Sequence, residues 1–538
     1  RRLYGVPELY QLVATFGLTL AMSDAMRWGF GPGEVFAPRF PGLKGAVELW
    51  GEFFPVWQLV TMTLGPLVWL GLHLLLTRTR FGQRLRAATM DRAMLDALGV
   101  NPKPLMLGAV MLGCALAGLG GALQLPREPA NLQMDVNVIV ETFVVVVTGG
   151  LGSIGGAFFA ALLIGLIHAL GVSLFPQATL VLVFLTMAVV LAVRPQGLMG
   201  QPLDAGPREI IQKFHQPSVK RSLGALYFIA FFGLCALAWT GGEYTRSLAS
   251  DALILLIFGV SLQSMMALGG LVSFGHAAFF GLGAYGAALS HMQWGASLPV
   301  ALAAGCALAL AVAAVFGAAV VRSGGVYLAM LSLALAQVIW ATATQWVALT
   351  GGDNGVIGLR LVSDDTRPLF FVLLVFIASL SVAALSRLAG STFGAALQAV
   401  RDTPQRAAAS GLPVNGIRYR IFVESAVLAG LAGGLAAAHK GAVFPSAASV
   451  ATSVDALLVV LLGGVHQLWG AAVGSAVLTW ASAELGSSVA VLRDYWRGAL
   501  GVFVMAIMVL SPSGLLGLLQ RMKGARRAAS PPDPGGSR

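Results

Sequence analysis

Charged residues are scarce in this chain. Asp, Glu, Lys and Arg make up 11% of its 538 residues, whereas soluble domains carry about 25%. The mean hydropathy is +0.81. Apolar windows recur along the sequence, and each is long enough, at about 18 residues or more, to cross the hydrocarbon core of a bilayer. The scarcity of charge therefore excludes a soluble globular protein.

The apolar windows also lack the alternation of apolar and polar residues that an outer-membrane β-barrel shows over about ten residues. Lipid offers backbone groups no hydrogen-bond partners, so continuous apolar windows are expected to be helices. The 67 glycines suit close helix packing. The sequence predicts an all-α, polytopic transmembrane helical bundle of about 16 spans, some of them short or broken.

The absence of several motifs excludes further classes of function. The cysteines are few and isolated within apolar runs, which fits small buried side chains and gives no disulfide or metal-ligand spacing: Cys114, Cys235 and Cys306. No G-x-x-x-x-G-K-[ST] phosphate loop occurs, and no soluble stretch is large enough for an ATPase, so any ATP hydrolysis must occur on another polypeptide. No nucleophile–base spacing is present either. We expect no catalytic residue and no metal site.

The net charge of +11 does not indicate a nucleic-acid partner, because the basic residues gather in loops between spans, as in cytoplasmic loops. In the first half the spans are expected near 8–27, 54–77, 104–124, 137–151, 154–171 and 175–193. In the second half they are expected near 222–240, 248–268, 273–292, 297–321, 326–350, 368–386, 420–441, 452–464, 468–485 and 497–514. Every basic loop faces the cytoplasm only if the glycine-rich turns at 149–156 and 463–470 each separate two short helices.

The sequence contains an internal repeat. The first charged segment, FGQRLRAATMDRAMLDALG at 81–99, returns 312 residues later as the second charged segment, FGAALQAVRDTPQRAAASG at 393–411. Further matches follow in the same order: 117–123 with 429–435, 141–150 with 455–464, and 194–200 with 511–517. The expected number of crossings between the two charged segments is even. The repeats therefore share one orientation, related by an axis along the membrane normal.

Each charged segment is a helix-like stretch between apolar runs. A solvated cytoplasmic loop is one interpretation. The duplication favours another, in which the segments dock two equivalent cytoplasmic subunits and charge pairs set the orientation. In the first segment the expected coupling residues are Gly82, Arg86, Asp91, Arg92 and Gly99, the last being a helix end. In the second they are Gly394, Arg401, Asp402, Arg406 and Gly411.

Four stretches of the second half, in this order, carry a family resemblance: SFGHAAFFGLGAY (273–285), GGVYLAMLSLALAQ (324–337), GGDNG (351–355) and QAVRDTPQRAAASG (398–411). The second half resembles the LivM-type permease of branched-chain amino acid ABC importers. The first half resembles the latter part of its LivH-type partner. It departs from that partner in lacking the opening NFAHG-like segment, and the two permeases share one chain.

The resemblance implies a domain order: a LivH-like portion without its opening helices (1–200), a cytoplasmic linker (201–221), a LivM-like permease domain (222–520) and a basic, Pro- and Gly-rich cytoplasmic tail (521–538). Because the chain begins at Arg1, we expect it to continue something longer. The resemblance also implies a multi-pass protein of the bacterial inner membrane. Two cytoplasmic ABC ATPases would carry the ATP and Mg²⁺, a periplasmic binding protein would deliver a small-molecule substrate, and the chain itself would need no cofactor.

Polar residues in or beside the apolar runs are candidates for the substrate pathway: Ser273, His276, Tyr285, Tyr327, Gln337, Asp353 and Asn354. Blander interpretations stay open, namely a histidine satisfied by a backbone carbonyl, a hydrogen bond between packed helices, and a plain connecting turn at 351–355. Glu141 and Asp455 occupy matching repeat positions. They are expected near the outer ends of short helices, either as N-terminal caps or as part of an external gate.

The main alternative is an ion-coupled secondary transporter of small amino acids. Such a transporter normally needs carboxylates or a cation site within its spans. Apart from Glu141, Asp251 and Asp455, all near expected helix ends, the spans are almost free of acidic residues. An integral-membrane enzyme is the remaining alternative. The substrate stays open among branched-chain amino acids, urea, short amides and aromatic acids.

Overall fold

The structure is a computed structural model, and it describes residues 8–38, 42–49, 51–132, 134–194, 196–200, 233, 240, 242–321, 325–487, 495–510 and 514–518. Each expected span coincides with a helix in these ranges, except that near 222–240. That span, the expected linker at 201–221 and the expected tail at 521–538 lie outside the described residues, apart from 233 and 240. The predicted all-α membrane fold is confirmed.

The helices of the first repeat are α1 (Glu8–Phe30), α2 (Val56–Arg78), α3 (Arg80–Met90), α4 (Arg92–Ala97), α5 (Pro102–Gln124), α6 (Met134–Gly149), α7 (Ile154–Leu174) and α8 (Thr179–Val193). Those that follow are α9 (Glu243–Gln263), α10 (Ala277–Trp294), α11 (Leu298–Val320), α12 (Val326–Gln345), α13 (Arg367–Ala389), α14 (Thr392–Asp402), α15 (Pro404–Ala409), α16 (Val414–Lys440), α17 (Val450–Gly463), α18 (Gly470–Ser487) and α19 (Trp496–Leu510). Two antiparallel strand pairs complete the fold: β1 (Ala46–Leu49) with β2 (Glu52–Pro55), and β3 (Val356–Ile357) with β4 (Ala442–Val443).

Within the described residues, nine helices are long and apolar enough to cross a membrane. The sequence and the structure differ mainly where helices begin and end. The span expected at 273–292 begins as a helix only at Ala277, because residues 269–276 are not helical apart from Gly269. The span expected at 420–441 begins six residues earlier, at Val414.

The chain divides into two compact units. The first comprises residues 1–25, 167–195 and 203–538, and its centre is the packing of α10, α11 and α16. Their backbones touch at glycines: a Cβ atom on Gly283 would lie 1.9 Å from the Gly430 oxygen, and one on Gly433 would lie 1.8 Å from the Phe280 oxygen. A Cβ on Gly305 would lie 2.4 Å from the Gly283 oxygen. These helices therefore form one body with no room to slide.

The second unit comprises residues 26–166 and 196–202. Almost none of the residues in its helices α2 and α5 are buried, Trp57 being the exception in α2, and the others are partly or fully exposed. The indole N–H of Trp57 in α2 donates to the Leu123 carbonyl in α5 (3.3 Å). The Trp69 ring of α2 stacks on Phe158 of α7, with ring centroids 4.9 Å apart. Aromatic contacts and one indole hydrogen bond thus hold α2 in this unit.

Within the first unit, each repeat packs its last helix on the first helix of the other. The Asp24 carboxylate of α1 is buried and accepts a hydrogen bond from the Gly498 N–H (2.5 Å) in the first turn of α19. Correspondingly, α12 packs on α8, and the Gln345 amide, oriented to suit its neighbours, bonds the Gln177 carbonyl (2.9 Å) and the Leu180 N–H (3.3 Å). A side chain of one repeat thus caps a helix of the other in both places.

The glycine contacts of α16 predict an asymmetric response to one substitution. Gly433→Val has no space, so overpacking should destabilise the protein by about 1–3 kcal/mol or more. The equivalent residue in the first repeat, Gly121, has no heavy atom within 4 Å of a Cβ atom, so Gly121→Val is the matched control. We expect a lower midpoint of thermal unfolding in detergent for Gly433→Val alone. An equal decrease for both variants would contradict this packing.

Candidate functional site

The two charged segments have the same architecture. Each is a helix of 11 residues, α3 or α14, followed by a helix of 6 residues, α4 or α15. Each first helix begins at a hydroxyl cap: Thr79 accepts from the Gly82 N–H (3.2 Å), and Ser391 accepts from the Gly394 N–H (3.0 Å). The side-chain oxygen satisfies an N–H that has no partner within the helix. The repeated sequence thus forms the same pair of helices twice.

Gly82 and Gly394 are required by the sharp turn into each segment. A Cβ atom on Gly82 would lie 2.4 Å from the Leu76 Cα, and one on Gly394 would lie 2.0 Å from the Leu388 oxygen. Only glycine allows the backbone to turn back on the preceding long helix at this distance. The two glycines expected at the coupling segments therefore shape these segments.

Gly99 and Gly411 end the segments in the same way. Both have positive φ angles, +78° and +83°, which glycine adopts at little cost. In each segment the residue after the glycine bonds a carbonyl five residues back, Val100 to Leu95 (3.2 Å) and Leu412 to Ala407 (3.1 Å). The expectation that these glycines end helices is confirmed.

Equivalent positions of the two segments are buried: Gly82 and Gly394, Ala88 and Val400, and Leu95 and Ala407. Equivalent faces are therefore exposed, and they carry four of the expected coupling residues: Arg86, Asp91, Asp402 and Arg406. Asp91 also caps α4 by accepting from the Met94 N–H (2.9 Å). The Arg92 side chain lies outside the described residues.

Arg401 is placed differently from the expectation of a surface contact. Only 3% of its side chain is exposed. One guanidinium nitrogen donates to the Ala267 carbonyl, and Nε donates to the Asp402 carboxylate (2.9 Å). The side chain points into the protein because the end of α9 presents carbonyl oxygens there. Arg401 therefore cannot meet a docked subunit directly in this conformation, whereas its half-exposed partner Asp402 can.

The polar residues of the broken helix lie within the packed interior. Residues 269–276, named here the break segment, join the π-helical turn Ser264–Leu268 after α9 to the start of α10. His276 is fully buried, stacks on Phe258 and bonds the Ser261 hydroxyl through Nε2 (2.8 Å). The sequence left open a backbone carbonyl as the hydrogen-bond partner of His276. At Nε2 the partner is instead the Ser261 hydroxyl.

Side chains supply the hydrogen bonds that the missing helical turn would have made. The Phe274 N–H donates to the Ser332 hydroxyl (3.2 Å), and the Ala277 N–H donates to the Ser453 hydroxyl (2.9 Å). The Gly275 backbone packs directly against α12: a Cβ atom on Gly275 would lie 1.7 Å from the Ser332 carbonyl oxygen. The helix is therefore broken at Gly275.

The expected pathway residues fall into separate groups. Ser273 and His276 lie in the break segment, and Gln337 is buried within α12, where Tyr327 is partly exposed. Tyr285 packs elsewhere, in a cluster with Val356 and Val443 of the β3–β4 pair. Asp353 and Asn354 are exposed in the turn before β3. Ser273, His276 and Tyr285 are each at most 5% exposed, so they line no open pathway in this conformation.

Glu141 and Asp455 do not cap their helices. Glu141 lies within α6, whose first turn carries Asp135, and α17 begins at the Ser449 hydroxyl, which accepts from the Thr452 N–H (3.4 Å). The capping interpretation is therefore wrong, because both carboxylates lie beyond the first turn. Both side chains are exposed. Among the described residues, no cluster of His, Cys, Asp and Glu could hold a metal ion.

The glycine-rich turns after α6 and α17 also match. Gly150 and Gly464 have φ angles of +100° and +115°. A Cβ atom on Gly197 would lie 2.6 Å from the Gly150 Cα, and one on Gly514 would lie 2.6 Å from the Gly464 Cα. Each turn thus rests on a glycine that follows the last helix of a repeat. Each turn therefore separates two helices, as expected, but they are not all short: α7, after the first turn, has 21 residues and is long enough to cross a membrane.

The family model for "Branched-chain amino acid transport system / permease component" matches residues 12–193 and 244–511. The chain belongs to this permease family. Both repeats are covered by the match, and the gap between them contains the expected linker.

Three relatives of this permease match between 36% and 62% of the chain. The high-affinity branched-chain amino acid transport system permease protein LivM of Escherichia coli is 27% identical over 367 residues, which cover 62% of this chain and 84% of LivM. BraD of Pseudomonas aeruginosa is 29% identical over 208 residues, 38% of this chain and 67% of BraD. LivH of Salmonella typhimurium is 26% identical over 201 residues, 36% of this chain and 65% of LivH. No solved structure matches the chain.

Several residues that organise this permease were missed by sequence reasoning. Gln263 at the end of α9 is fully buried and bonds the second glycine-rich turn, donating to the carbonyls of Val465 (3.1 Å) and Gln467 (2.6 Å) and accepting from the Ala471 N–H (3.3 Å). A glutamine inside an apolar window was the available signal, because buried polar side chains are costly unless they are bonded.

The turn into the second charged segment gives a local prediction. Gly394→Ala places a methyl group against the Leu388 carbonyl, so the start of α14 must shift, at a cost of about 1–3 kcal/mol. Amide hydrogen exchange within residues 392–402 should accelerate by about tenfold or more. Gly416→Ala is the control, because its Cβ atom would approach Pro413 no closer than 3.7 Å. Unchanged exchange in Gly394→Ala would show that the turn tolerates a side chain.

Proposed function

We propose that this permease is the transmembrane subunit of an ATP-driven importer of branched-chain amino acids or related small compounds. The observation that carries the proposal is the pair of charged segments with identical helix lengths, caps and end glycines, in a chain of a transport permease family. Each segment would dock one cytoplasmic ABC ATPase. A periplasmic binding protein would deliver the substrate, and the permease would lie in the bacterial inner membrane.

The domain order expected from the sequence belongs to this proposal: a LivH-like portion, a linker, a LivM-like domain and a basic tail. Two differently derived halves would then face two ATPases at equivalent surfaces. ATP and Mg²⁺ would be bound by those partners, which agrees with the lack of a phosphate loop in the sequence. The exposed Arg86, Asp91, Asp402 and Arg406 would set the orientation of docking.

The packing of the first unit supports alternating access as the mechanism. The second charged segment leads into α16, and α16 contacts α10 and α11 backbone to backbone. A displacement of that segment would therefore move α16, α10 and α11 together instead of being absorbed by sliding. Because α10 begins at the break segment, the displacement would reach Ser273 and His276 and open the buried region that contains them.

The substrate class follows from the names of the relatives, LivM, LivH and BraD, which are described as branched-chain amino acid permeases. A largely apolar lining broken by a few hydroxyl and amide groups, such as Ser273 and Gln337, suits a small amino acid with an aliphatic side chain. Glu141 and Asp455 would contribute to an external gate. Urea, short amides and aromatic acids remain in the test panel.

Uptake by proteoliposomes tests the proposal. The permease is reconstituted with the ATPases and binding protein of its transport system, and radiolabelled leucine is supplied with ATP. We expect accumulation that requires ATP, both ATPases and the binding protein, because the chain has no phosphate loop of its own. Ionophores that collapse proton and sodium gradients are the control. Uptake that survives without ATPases but is lost with ionophores would establish the secondary transporter instead.

Cysteine labelling tests the shared orientation of the charged segments. Met90→Cys and Gln405→Cys each replace an exposed residue of one segment, in a background with Cys114, Cys235 and Cys306 replaced by alanine. A membrane-impermeant maleimide should label both sites in inside-out vesicles and neither in right-side-out vesicles, because both segments are expected in the cytoplasm. Labelling of the two sites from opposite sides of the membrane would contradict the proposal that both charged segments dock cytoplasmic ATPases.

A further inference from the structure

Arg401 links the second charged segment to the end of α9. Its guanidinium donates to the carbonyl of Ala267, in the π-helical turn Ser264–Leu268. The last carbonyls of a helix lack partners within it, and a cation is favourable at that end. A π-helical turn is rare and is frequently found at functional sites. The buried guanidinium thus completes the end of an element that sequence analysis did not predict.

The backbone beside this contact is shaped to receive the arginine. Gly270, the second residue after the π-helical turn, has a φ angle of +65°. A Cβ atom there would lie 2.5 Å from Cγ of Arg401. The side chain therefore lies across the Cα of Gly270, at the start of the break segment, and any larger residue would displace it. The fit fixes the position of α14 relative to residues 269–276.

The same end of α9 bonds two other parts of the transport machinery. Gln263 holds the turn between α17 and α18 through its three hydrogen bonds, and the Ser261 hydroxyl bonds His276 in the break segment. Within about two helical turns, the end of α9 and the π-helical turn after it therefore contact the second charged segment, a glycine-rich turn and the broken helix. Movement of α14 would pass to all three through one connection.

The first charged segment has no such link. Thr89 occupies the position equivalent to Arg401, and Met90 occupies that of Asp402. Thr89 is exposed, and its hydroxyl donates within its own helix to the Arg86 carbonyl (2.8 Å). The two segments share their caps and turns, but among the side chains that the structure describes in them, only Arg401 of the second segment places a buried charge on a backbone carbonyl. The two segments therefore differ in how they contact the rest of the protein.

We propose that Arg401 is the positioning residue that couples movement of the second charged segment to the break segment and so to opening of the transport pathway. This inference rests on the proposed function. A buried guanidinium is costly to leave unpaired, so its contacts persist as α14 moves, and α14 carries the π-helical turn and Gly270 with it. The first charged segment would provide docking without this connection.

Coupling can be measured separately from docking. The complete complex, with ATPases and binding protein, is reconstituted, and leucine uptake and ATP hydrolysis are recorded together. For Arg401→Met we expect hydrolysis to continue while leucine taken up per ATP decreases by about tenfold or more, as the loss of a charge-assisted hydrogen bond predicts. Arg401→Lys should restore part of the ratio. Arg387→Met, which removes an exposed charge at the end of α13, is the control and should leave the ratio unchanged.

A second variant separates coupling from folding. Gly270→Ala keeps the charge but displaces the side chain that lies over it, so it should lower the same ratio. Ser273→Cys, in the background without native cysteines, reports movement of the break segment. ATP should change its reaction with a small thiol reagent when Arg401 is present and leave it unchanged with Arg401→Met.

The outcomes distinguish the two proposals. A wild-type complex that shows no ATP-dependent uptake refutes the proposed function itself. A working wild-type complex with an unchanged ratio in Arg401→Met and Gly270→Ala refutes only the coupling role. Failure of both variants to assemble also refutes it, because it would assign the contact to folding instead of coupling. An equal loss in Arg387→Met would show a general charge effect.

Discussion

Hydrocarbon offers a peptide group no hydrogen-bond partner, and this constraint explains most of the structure. Where the chain is helical, each N–H group finds a carbonyl within its own segment. Where it is not, the partner must come from a side chain. Ser332 and Ser453 serve the backbone of the break segment, and Gln263 serves the second glycine-rich turn. Side chains therefore bond backbone groups at points where these breaks interrupt the helical pattern.

The same constraint explains where the polar residues are. Two hydroxyl side chains in apolar windows, Ser332 and Ser453, accept hydrogen bonds from backbone N–H groups at the break. Of the residues expected to line a substrate pathway, His276 bonds the Ser261 hydroxyl. Ser273 and Tyr285, two of the residues expected to line a substrate pathway, are themselves buried.

The sequence predicted the elements well because the signals were local. Apolar windows located the spans, and the repeated segment at 81–99 and 393–411 gave the pairs of short helices with their end glycines. Prediction from the sequence failed where a side chain bonds a partner that is distant along the chain. Nothing near Arg401 in sequence indicates that a carbonyl at position 267 would receive its guanidinium. Similarly, Glu141 and Asp455 were assigned to helix ends, because the first turns of α6 and α17 begin several residues before the apolar pattern suggests.

The capping of α19 by Asp24 joins residues 474 positions apart. During synthesis α1 is made long before its partner α19. Until α19 has been made, the Asp24 carboxylate has no Gly498 N–H to accept from. In the same way, α8 lacks its packing partner until α12 has been made. Assembly of the bundle therefore cannot proceed half by half, as it does when consecutive domains mature independently. Each half is completed only by contacts with the other.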